Sequence, residues 1–376
     1  MKPLRRLAAL SCLWACCALL ATAAGATAAG DAAPARREAL PRIRHVFLIV
    51  LENEPFQASF GAQSPAPYLA RRLPREGALL TQYYAIGHFS LDNYIAILSG
   101  QAPNPDTQQD CPVYSNFVAD GPTGAYGQLP GHGCIYPRSV RTVADQLEAK
   151  GLRWMGYMED MGNDPAREAR TCGHSALGAA DATERATPTD QYAAKHDPFV
   201  YFHAIIDDPA RCDAHVVKLK RLSRDLDDPA KTPNFAFITP NLCHDGHNPV
   251  CSNGAPGGLT AVDGFLKTWV PRIMRSAAFR KDGLLVITFD EGVTGDACCG
   301  EQGLPGGPVA GQFGPGGGRI GAVLLSPFIR PGTVSARPYN HYSLLRSIEN
   351  YFGLAHLGYA AGHGVHAFGV DVFAPR

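Results

Sequence analysis

The sequence predicts an α/β fold, a single large domain with a mostly parallel central sheet flanked by helices. Two observations predict this fold. Near-continuous apolar runs of strand length recur along the chain, and segments with helical periodicity lie between them. An apolar run without alternation is typical of a strand buried on both faces, as in a parallel sheet, and strands that alternate with helices are typical of crossover connections.

The first apolar run, residues 45–51, predicts a buried strand at the beginning of the domain. Further strands are predicted, in order along the chain, at 152–158, 234–239, 283–289 and 320–325. Helices are predicted at 91–99, 139–150, 260–279 and 341–353. Two Gly-, Pro- and Asn-rich stretches without periodicity, 101–137 and 293–318, interrupt the alternation. Because long loops inside a compact domain are usually functional, we expect both to contribute to a site.

The N-terminus has the features of a cleavable secretory signal over residues 1–28. Basic residues precede an apolar stretch, and small residues follow it. The pair Arg5-Arg6 is compatible with twin-arginine export, but the polar residue expected before such a pair is absent, which favours ordinary secretion. The apolar stretch is shorter than the roughly 20 residues that a spanning helix needs. We therefore expect a secreted or periplasmic protein without a stable membrane anchor, with a flexible leader at 29–42 and one folded domain at 43–376.

Eleven cysteines occur in the chain, three of them inside the predicted signal. The remaining eight are an even number in an exported protein, and none forms a Cys-x-x-Cys pair, which favours disulfides over a metal cluster. Neighbours along the chain are the expected partners: Cys111 with Cys134, Cys172 with Cys212, and Cys243 with Cys251. For the adjacent Cys298 and Cys299 two arrangements stay open, a strained vicinal bridge or the attachment of one loop to two places.

The charges are balanced, with 34 basic and 34 acidic residues. This balance excludes a typical nucleic-acid-binding protein and a protein drawn strongly to membranes by its overall charge. A small charged substrate must therefore be bound by a local site. The sequence does not indicate an oligomeric state.

Acidic side chains follow two of the predicted strands directly. Glu52 and Asn53 come after the first strand, and Asp290 and Glu291 come after the strand at 283–289. Ligands of parallel sheets bind outside the carboxyl ends of the strands, so these four side chains are expected at one edge. A single acidic residue at a strand end more often begins a solvated loop. Two such pairs favour a site for a divalent cation such as Mg, Mn, Ca or Zn.

Ser90 precedes the predicted helix at 91–99 and is expected at its N-cap, with Asn93 three residues further on. Serine is a preferred cap irrespective of function, so the position alone is weak support for catalysis. A hydroxyl at a helix N-terminus is also placed to attack phosphorus while backbone amides bind the phosphoryl oxygens. A metal ion on that hydroxyl lowers its pKa and generates a nucleophile.

Four of the thirteen histidines are candidates for a role in catalysis. His244 and His247 lie in the loop after the strand at 234–239, where either is placed to protonate a leaving-group oxygen or to bind a phosphoryl oxygen. His196 and His341 are further candidates. Because a lone histidine is more often structural, none of the four is assigned by its position alone.

Six segments in the same order carry a family resemblance. They are Leu51-Glu52-Asn53-Glu54, His88-Phe89-Ser90-Leu91-Asp92-Asn93-Tyr94, Lys195-His196-Asp197-Pro198-Phe199, Cys243-His244-Asp245-Gly246-His247, Thr288-Phe289-Asp290-Glu291-Gly292 and Tyr339-Asn340-His341-Tyr342-Ser343-Leu344-Leu345-Arg346. Together they resemble the bacterial and fungal phosphoesterase family of acid phosphatases and phospholipases C, a branch of the alkaline-phosphatase-like superfamily. Six collinear motifs are far more specific than any one of them.

This resemblance implies an alkaline-phosphatase-like fold and hydrolysis of phosphoric esters through a phosphoserine. It implies a metal site with five ligands: Glu52, Asn53, Ser90, Asp290 and Glu291. Ser90 would also be the nucleophile, and His247 the proton donor to the leaving group. Substrate contacts are expected from three further side chains: Asn93, His196 and His244. His341 would orient the site from the start of a helix.

Three positions depart from the pattern of the family. Phe89 stands where a small residue or proline is usual beside the nucleophile, and Asp92 replaces a frequent proline. Neither change removes a reacting group, but both are expected to alter the fit of the substrate. Asn248 stands where an aspartate is common, which leaves the acidic partner of His247 unassigned.

The preferred function is an acid phosphatase that acts on small phosphomonoesters with a mildly acidic pH optimum, because phosphate-binding histidines donate better when protonated. A phospholipase C-type phosphodiesterase is the alternative. That branch often has C-terminal modules and a threonine nucleophile, whereas this chain ends at Arg376 and has Ser90.

Three other classes are disfavoured. A sulfatase would need the Cys/Ser-x-Pro-x-Arg pattern, and a serine hydrolase usually has a Gly-x-Ser-x-Gly elbow; residues 88–92 supply neither. A non-catalytic binding protein would be expected to have lost the acidic pairs and the serine, and all are present.

Overall fold

An eight-stranded sheet lies at the centre of the computed structural model, which describes residues 40–301, 303–312 and 314–373. The strands are β1 (His45–Leu51), β2 (Ala78–Leu80), β3 (Tyr83–Tyr84), β4 (Val118–Ala119), β5 (Gly131–His132), β6 (Trp154–Met158), β7 (Val216–Lys218), β8 (Phe235–Thr239), β9 (Gly283–Phe289), β10 (Ala322–Leu325), β11 (Thr333–Ser335) and β12 (Tyr339–Asn340). The order in the large sheet is β11-β2-β10-β9-β1-β8-β6-β7. β12 with β3 and β4 with β5 form two small ribbons.

The large sheet is mostly parallel, as predicted. β9, β1, β8, β6 and β7 all run in one direction, and β10 alone is antiparallel to its neighbours β9 and β2. The five predicted strands are present within two residues of their predicted bounds. The short strands β2, β7 and β11 were not predicted, because three residues are too few for a detectable pattern.

Helices cover the sheet between the strands. They are α1 (Phe56–Phe60), α2 (Leu73–Glu76), α3 (Ser90–Ser99), α4 (Val143–Ala149), α5 (His203–Ile206), α6 (Pro209–His215), α7 (Arg221–Asp227), α8 (Gly258–Arg275), α9 (Ala277–Asp282) and α10 (His341–Phe352). The predicted helix at 260–279 is wrong in one respect, because two helices occupy this region. Ser276 between them is extended, and its side chain accepts a hydrogen bond from the amide of Phe279, which caps α9.

The burial of the two central strands, β1 and β9, explains why both appear in the sequence as continuous apolar runs. Every residue of β9 is buried, as is every residue of β1 after His45. Burying one aliphatic side chain contributes about 1.5–3 kcal/mol, so displacing either strand from the layer would be costly. The register of these strands therefore sets the geometry at their carboxyl ends.

Four disulfides lie in the described part of the chain. The three predicted pairs are present: Cys111–Cys134, Cys172–Cys212 and Cys243–Cys251. Of the two arrangements left open for the remaining cysteines, the structure has the vicinal bridge Cys298–Cys299. All four therefore join segments outside the large sheet, and Cys212 is the one of these cysteines that lies in a helix, α6.

The predicted signal at 1–28 and most of the predicted leader at 29–42 lie outside the described residues. Within the described ranges, no helix combines the length and apolar character needed to cross a bilayer.

A buried acid in α10 provides a test of stability against pH. Burial raises the pKa of Glu349 to about 8, although the amide of Leu357 donates to its Oε1 at 2.7 Å. The folded protein thus binds the proton more tightly than the unfolded chain, and this group lowers stability as pH rises from about 4.5 to about 8. We expect Glu349→Gln to raise the free energy of unfolding by about 1–3 kcal/mol at pH 9 and by less at pH 5.

Urea denaturation of both proteins at the two pH values measures this difference. Asp227→Asn, at an exposed position, is the control and should give no pH-dependent gain. An equal effect of Glu349→Gln at both pH values would contradict the prediction.

Candidate active site

The register of β1, β8 and β9 brings three loops to one edge of the sheet. Leu51 pairs with Phe289 at the ends of β1 and β9, and the amide of Asp290 donates to the carbonyl of Leu51 at 2.8 Å. On the other side of β1, the amide of Glu52 donates to the carbonyl of Asp245 at 2.8 Å. The residues that follow the three strands therefore emerge side by side, as the sequence pattern predicted for the two acidic pairs.

Glu52 lies at the centre of this cluster and is fully buried. Its Oε1 is 2.7 Å from Nε2 of His196, and its Oε2 is 3.7 Å from Nδ1 of His247. Burial raises the pKa of Glu52, while Asp290 and Ser90 lie close enough to lower it in part. The structure thus brings four other predicted site residues, His196, His247, Asp290 and Ser90, together around the Glu52 carboxylate.

Asp290 is also fully buried and is oriented by the backbone. Its Oδ1 accepts from the amides of Asn53 at 2.9 Å and Glu291 at 2.6 Å. Asn53 has a positive φ of 56°, a conformation that asparagine tolerates better than most residues, and this turns its amide toward Asp290. Burial and the charge of Glu52 raise the pKa of Asp290 well above its usual range.

The cluster is rich in buried oxygen atoms that accept no hydrogen bond from the described residues, including Oε1 of Glu52, whose 2.7 Å contact with His196 does not have hydrogen-bond geometry. They are both carboxylate oxygens of Glu52, Oδ1 of Asn53, Oδ2 of Asp245 and Oδ2 of Asp290. Ligand atoms of Glu52, His196 and Asp245 lie within 4.8 Å of one another. Buried carboxylates without compensation are costly, and oxygen ligands with one imidazole suit a divalent cation. The donor set therefore fits a metal ion.

This arrangement differs in part from the metal site that the sequence predicted. Of the five predicted ligands, Glu52, Asn53 and Asp290 each present a buried oxygen without a hydrogen-bond donor, and their role as ligands stays a prediction. Asp245 and His196 are additional candidate ligands; the sequence assigns no role to Asp245 and only a substrate contact to His196. Oε2 of Glu291 instead forms a short contact with Nδ1 of His88.

Glu291 and His88 form a buried pair at the edge of the cluster. Burial, followed by the charge of Asp290, raises the pKa of Glu291 to about 10. The second ring nitrogen of His88 lies 3.0 Å from the carbonyl of Thr294, in the long loop after β9. The pair therefore connects the segment before Ser90 to the loop at 293–318, and a functional role of that loop stays a prediction.

Ser90 is the first residue of α3, and the predicted N-cap position is wrong by one residue. Phe89 occupies the cap, with φ 47° and ψ 163°. A positive φ is an outlier for a bulky residue, and such strain persists only where the surroundings enforce it. The strained turn ends the loop abruptly and directs the buried Ser90 toward Glu52.

Asn93 holds this turn in place. Its Oδ1 accepts from the amides of Ile86 at 2.8 Å and Gly87 at 3.1 Å. Its Nδ2 donates to the carbonyls of Gly87 and Phe89, both at 3.0 Å. Both side-chain hydrogens of the amide are thus used within the loop. These contacts describe a positioning residue for Ser90, and the predicted contact of Asn93 with substrate stays a prediction.

We expect Asn93→Ala to destabilise the protein by about 2–4 kcal/mol, because it leaves buried amide and carbonyl groups without partners. Urea denaturation measures the change. Asn253→Ala is the matched control, since Asn253 is exposed and accepts one hydrogen bond from the amide of Ala255. If both variants lose the same stability, Asn93 does not hold the turn.

Two residues that the sequence analysis missed lie beside Ser90. Oδ1 of Asp110 accepts from the amide of Leu91 at 2.9 Å, and its Oδ2 accepts from Nζ of Lys195 at 2.8 Å. The Leu91 amide is therefore not available to a phosphoryl oxygen. Lys195 places a buried positive charge near Glu52. Asp110 lies in an aperiodic loop, and no local pattern identified it.

His196 is buried and stacks on Tyr94, with ring centroids 5.3 Å apart and planes 12° apart. Burial, together with the charge of Lys195, lowers the pKa of His196 to about 4. The ring is therefore neutral at neutral pH and available as an acceptor or ligand.

The two histidines after β8 have different surroundings. His247 is half exposed and faces Glu52, and its amide donates to Oδ1 of Asp245 at 3.1 Å. Nδ1 of His244 lies 3.0 Å from the Glu159 carboxylate, and this contact raises its pKa. The structure brings His247 to the cluster and pairs His244 elsewhere, so the substrate contact of His244 stays a prediction.

His341 begins α10 and is fully buried. Its Nε2 lies 2.6 Å from the carbonyl of Asp290, and its Nδ1 lies 3.2 Å from the hydroxyl of Tyr83. Burial lowers its pKa to about 4. These contacts hold the backbone that carries Asp290, in agreement with an orienting role.

Comparison with known proteins gives a family match. The sequence profile described as the Phosphoesterase family matches residues 65–355. The chain is 27% identical over 292 residues to the phosphate-repressible acid phosphatase of Penicillium chrysogenum, which covers 76% of this chain and 55% of that protein. It is 26% identical over 322 residues to the phosphatidylinositol-3-phosphatase of Mycobacterium tuberculosis, which covers 86% of this chain and 81% of that protein.

The chain spans between 55 and 59% of the length of the first three fungal relatives that it matches. Among solved structures, it is similar to a protein in the alkaline phosphatase superfamily from Vibrio parahaemolyticus. That similarity has a TM-score of 0.46 and 13% identity, over 85% of this chain and 69% of the other.

Proposed function

The chain belongs to the phosphoesterase family, and we propose that it is an exported, metal-dependent acid phosphatase that hydrolyses phosphomonoesters through a phosphoserine. The observation that carries the proposal is the placement of Ser90, at the start of a buried helix, beside the buried carboxylate of Glu52, which lies in one cluster with Asp290. Acid phosphatases among the relatives support the same chemistry.

Glu52, Asn53 and Asp290 would hold the metal ion together with Ser90, while Asp245, His196 and Glu291 are further candidate ligands. A bound divalent cation supplies positive charge that lowers the pKa of a nearby hydroxyl and stabilises developing negative charge. It would also compensate the buried carboxylates; burial raises the pKa of Glu52, and burial and the charge of Glu52 raise the pKa of Asp290.

In the proposed reaction, Ser90 loses its hydroxyl proton to water, its Oγ attacks phosphorus, and the bond from phosphorus to the leaving oxygen breaks. His247 faces the cluster from its solvent side and donates a proton to the leaving oxygen. Water then attacks the phosphoserine and releases phosphate. The proposed cationic side chain near the phosphoryl group is Lys195, which Asp110 holds in place. His341 and Asn93 position the backbones that carry Asp290 and Ser90.

The test compares p-nitrophenyl phosphate with bis-p-nitrophenyl phosphate and p-nitrophenyl phosphorylcholine. We expect kcat/KM for the monoester to exceed that for either diester. A preference for the phosphorylcholine ester would favour a phospholipase C-type phosphodiesterase and would overturn the assignment to phosphomonoesters.

A further inference from the structure

The imidazole of His196 is buried, and neither of its ring nitrogens forms a hydrogen bond with the described residues. Its Nε2 lies 2.7 Å from Oε1 of Glu52, without hydrogen-bond geometry. A histidine that binds a metal ion usually donates its other ring N–H to a carboxylate or a carbonyl, and that hydrogen bond orients the ring. Within the described part of the chain His196 has no such acceptor, so the orientation of its ring depends on packing.

Tyr94 provides the packing contact. Its ring lies against the imidazole of His196, with centroids 5.3 Å apart and planes 12° apart. Both side chains are buried, and a close-packed interior leaves a ring little room to rotate against a parallel neighbour. The backbone of His196 is fixed separately, since the hydroxyl of Thr239 at the end of β8 donates to its carbonyl at 3.1 Å. The stack therefore sets the plane of the imidazole.

Tyr94 is itself held between the helix and the sheet. It lies on α3 one helical turn after Ser90, so the two side chains share a face of this helix. Its ring also packs on Phe237 of β8, with centroids 6.0 Å apart. Tyr94 thus joins the helix that begins with Ser90 to the strand whose following loop carries Asp245.

We propose that Tyr94 is a positioning residue of the metal centre, and that its ring holds Nε2 of His196 toward Glu52 as a metal ligand. This inference rests on the metal dependence in the proposed function. The lone pair of an imidazole nitrogen lies in the plane of the ring, so an ion among Glu52, His196 and Asp245 requires a fixed imidazole plane. The role needs the ring of Tyr94 and not its hydroxyl.

The experiment titrates metal-free protein with the chlorides of magnesium, manganese, calcium and zinc, by isothermal titration calorimetry without substrate. We expect Tyr94→Leu to weaken the binding of the ion that the parent protein binds most tightly by about ten-fold. Tyr94→Phe keeps the ring and should bind that ion as the parent protein does. Tyr94→Met, which fills the space without a ring, replaces Tyr94→Leu if that variant does not fold. Equal losses in Tyr94→Phe and Tyr94→Leu would overturn the role of the ring.

A double-mutant cycle distinguishes positioning from a general loss of packing. We expect His196→Ala to weaken ion binding, and Tyr94→Leu to have no further effect in that background, because no imidazole is left to orient. Tyr114→Leu is the matched control, since Tyr114 is buried and stacks on His174 outside the cluster, with centroids 4.9 Å apart. It should lower the melting temperature and leave the affinity for the ion unchanged. Additive losses in the double variant, or a loss of affinity in Tyr114→Leu as large as in Tyr94→Leu, would contradict the proposal.

The parent protein separates this proposal from the proposed function. If it binds none of the four ions, the metal dependence and the role of Tyr94 are both wrong. If it binds one of them and Tyr94→Leu binds that ion equally well, only the role of Tyr94 is wrong.

Discussion

Replacing Ser90 with alanine should reduce kcat for p-nitrophenyl phosphate by about 10³-fold or more, because the proposed covalent path loses its nucleophile. Ser90 is buried, begins α3 and lies beside Glu52. Steady-state kinetics with purified protein give the change. Acid quenching followed by peptide mass spectrometry should detect phosphate on Ser90 in the parent enzyme and not in the variant.

Ser99→Ala is the matched control for this experiment. Ser99 ends the same helix, is also buried, and donates from its hydroxyl to the carbonyl of Ile95 at 2.9 Å. We expect that variant to lose some stability and to keep a kcat close to that of the parent enzyme. If Ser90→Ala and Ser99→Ala both turn over the substrate at the rate of the parent enzyme, Ser90 is not the nucleophile.

Removing divalent cations should abolish most of the activity and also lower the melting temperature. Glu52, Asp245 and Asp290 are buried carboxylates whose pKa values burial raises, and the charge of Glu52 raises the pKa of Asp245 and Asp290 further. A cation among them binds only the folded protein, so it should add about 3 kcal/mol to the free energy of unfolding at 100 times its Kd. Chelation, elemental analysis and calorimetric melting, followed by restoration with single metal salts, measure both effects.

Asp290→Asn should mimic chelation, since it removes charge from the cluster and keeps the size of the side chain. We expect this variant to retain less metal than the parent protein and to lose at least about 10²-fold in kcat. Asp263→Asn is the control. Asp263 is also a buried aspartate, and its Oδ1 accepts hydrogen bonds from the amides of Tyr68 and Leu69. Full activity of metal-free protein, verified by elemental analysis, would exclude the metal from catalysis.

The positions of the acidic pairs were predictable because they follow buried strands. β1 and β9 appear as apolar runs, and the parallel arrangement that such runs indicate places Glu52 and Asp290 at one edge. The disulfide partners among the first six described cysteines were predictable from chain proximity. The disulfide partners are close to one another along the chain. The two acidic pairs are far apart along the chain, but they become neighbours because the strands that precede them are parallel.

Other features of the cluster depend on side chains that approach from distant segments. Asp110 reaches the amide of Leu91 from a loop without periodicity, and Lys195 joins it from 85 positions further along the chain. No spacing rule predicts such pairs. The positive φ of Phe89 was likewise not predictable from the sequence, because a serine at position 90 fits an ordinary helix cap equally well.

The sequence by itself determined the α/β class, the four side chains at the ends of β1 and β9, and a candidate serine at the start of a helix. Hydrophobic periodicity and strand length are properties of short segments, so they can be identified from the sequence alone. The tertiary structure alone decided which way each side chain points. It added Asp245 and His196 to the possible ligands and paired Glu291 with His88, because these contacts follow from packing between segments separated by up to about 200 residues.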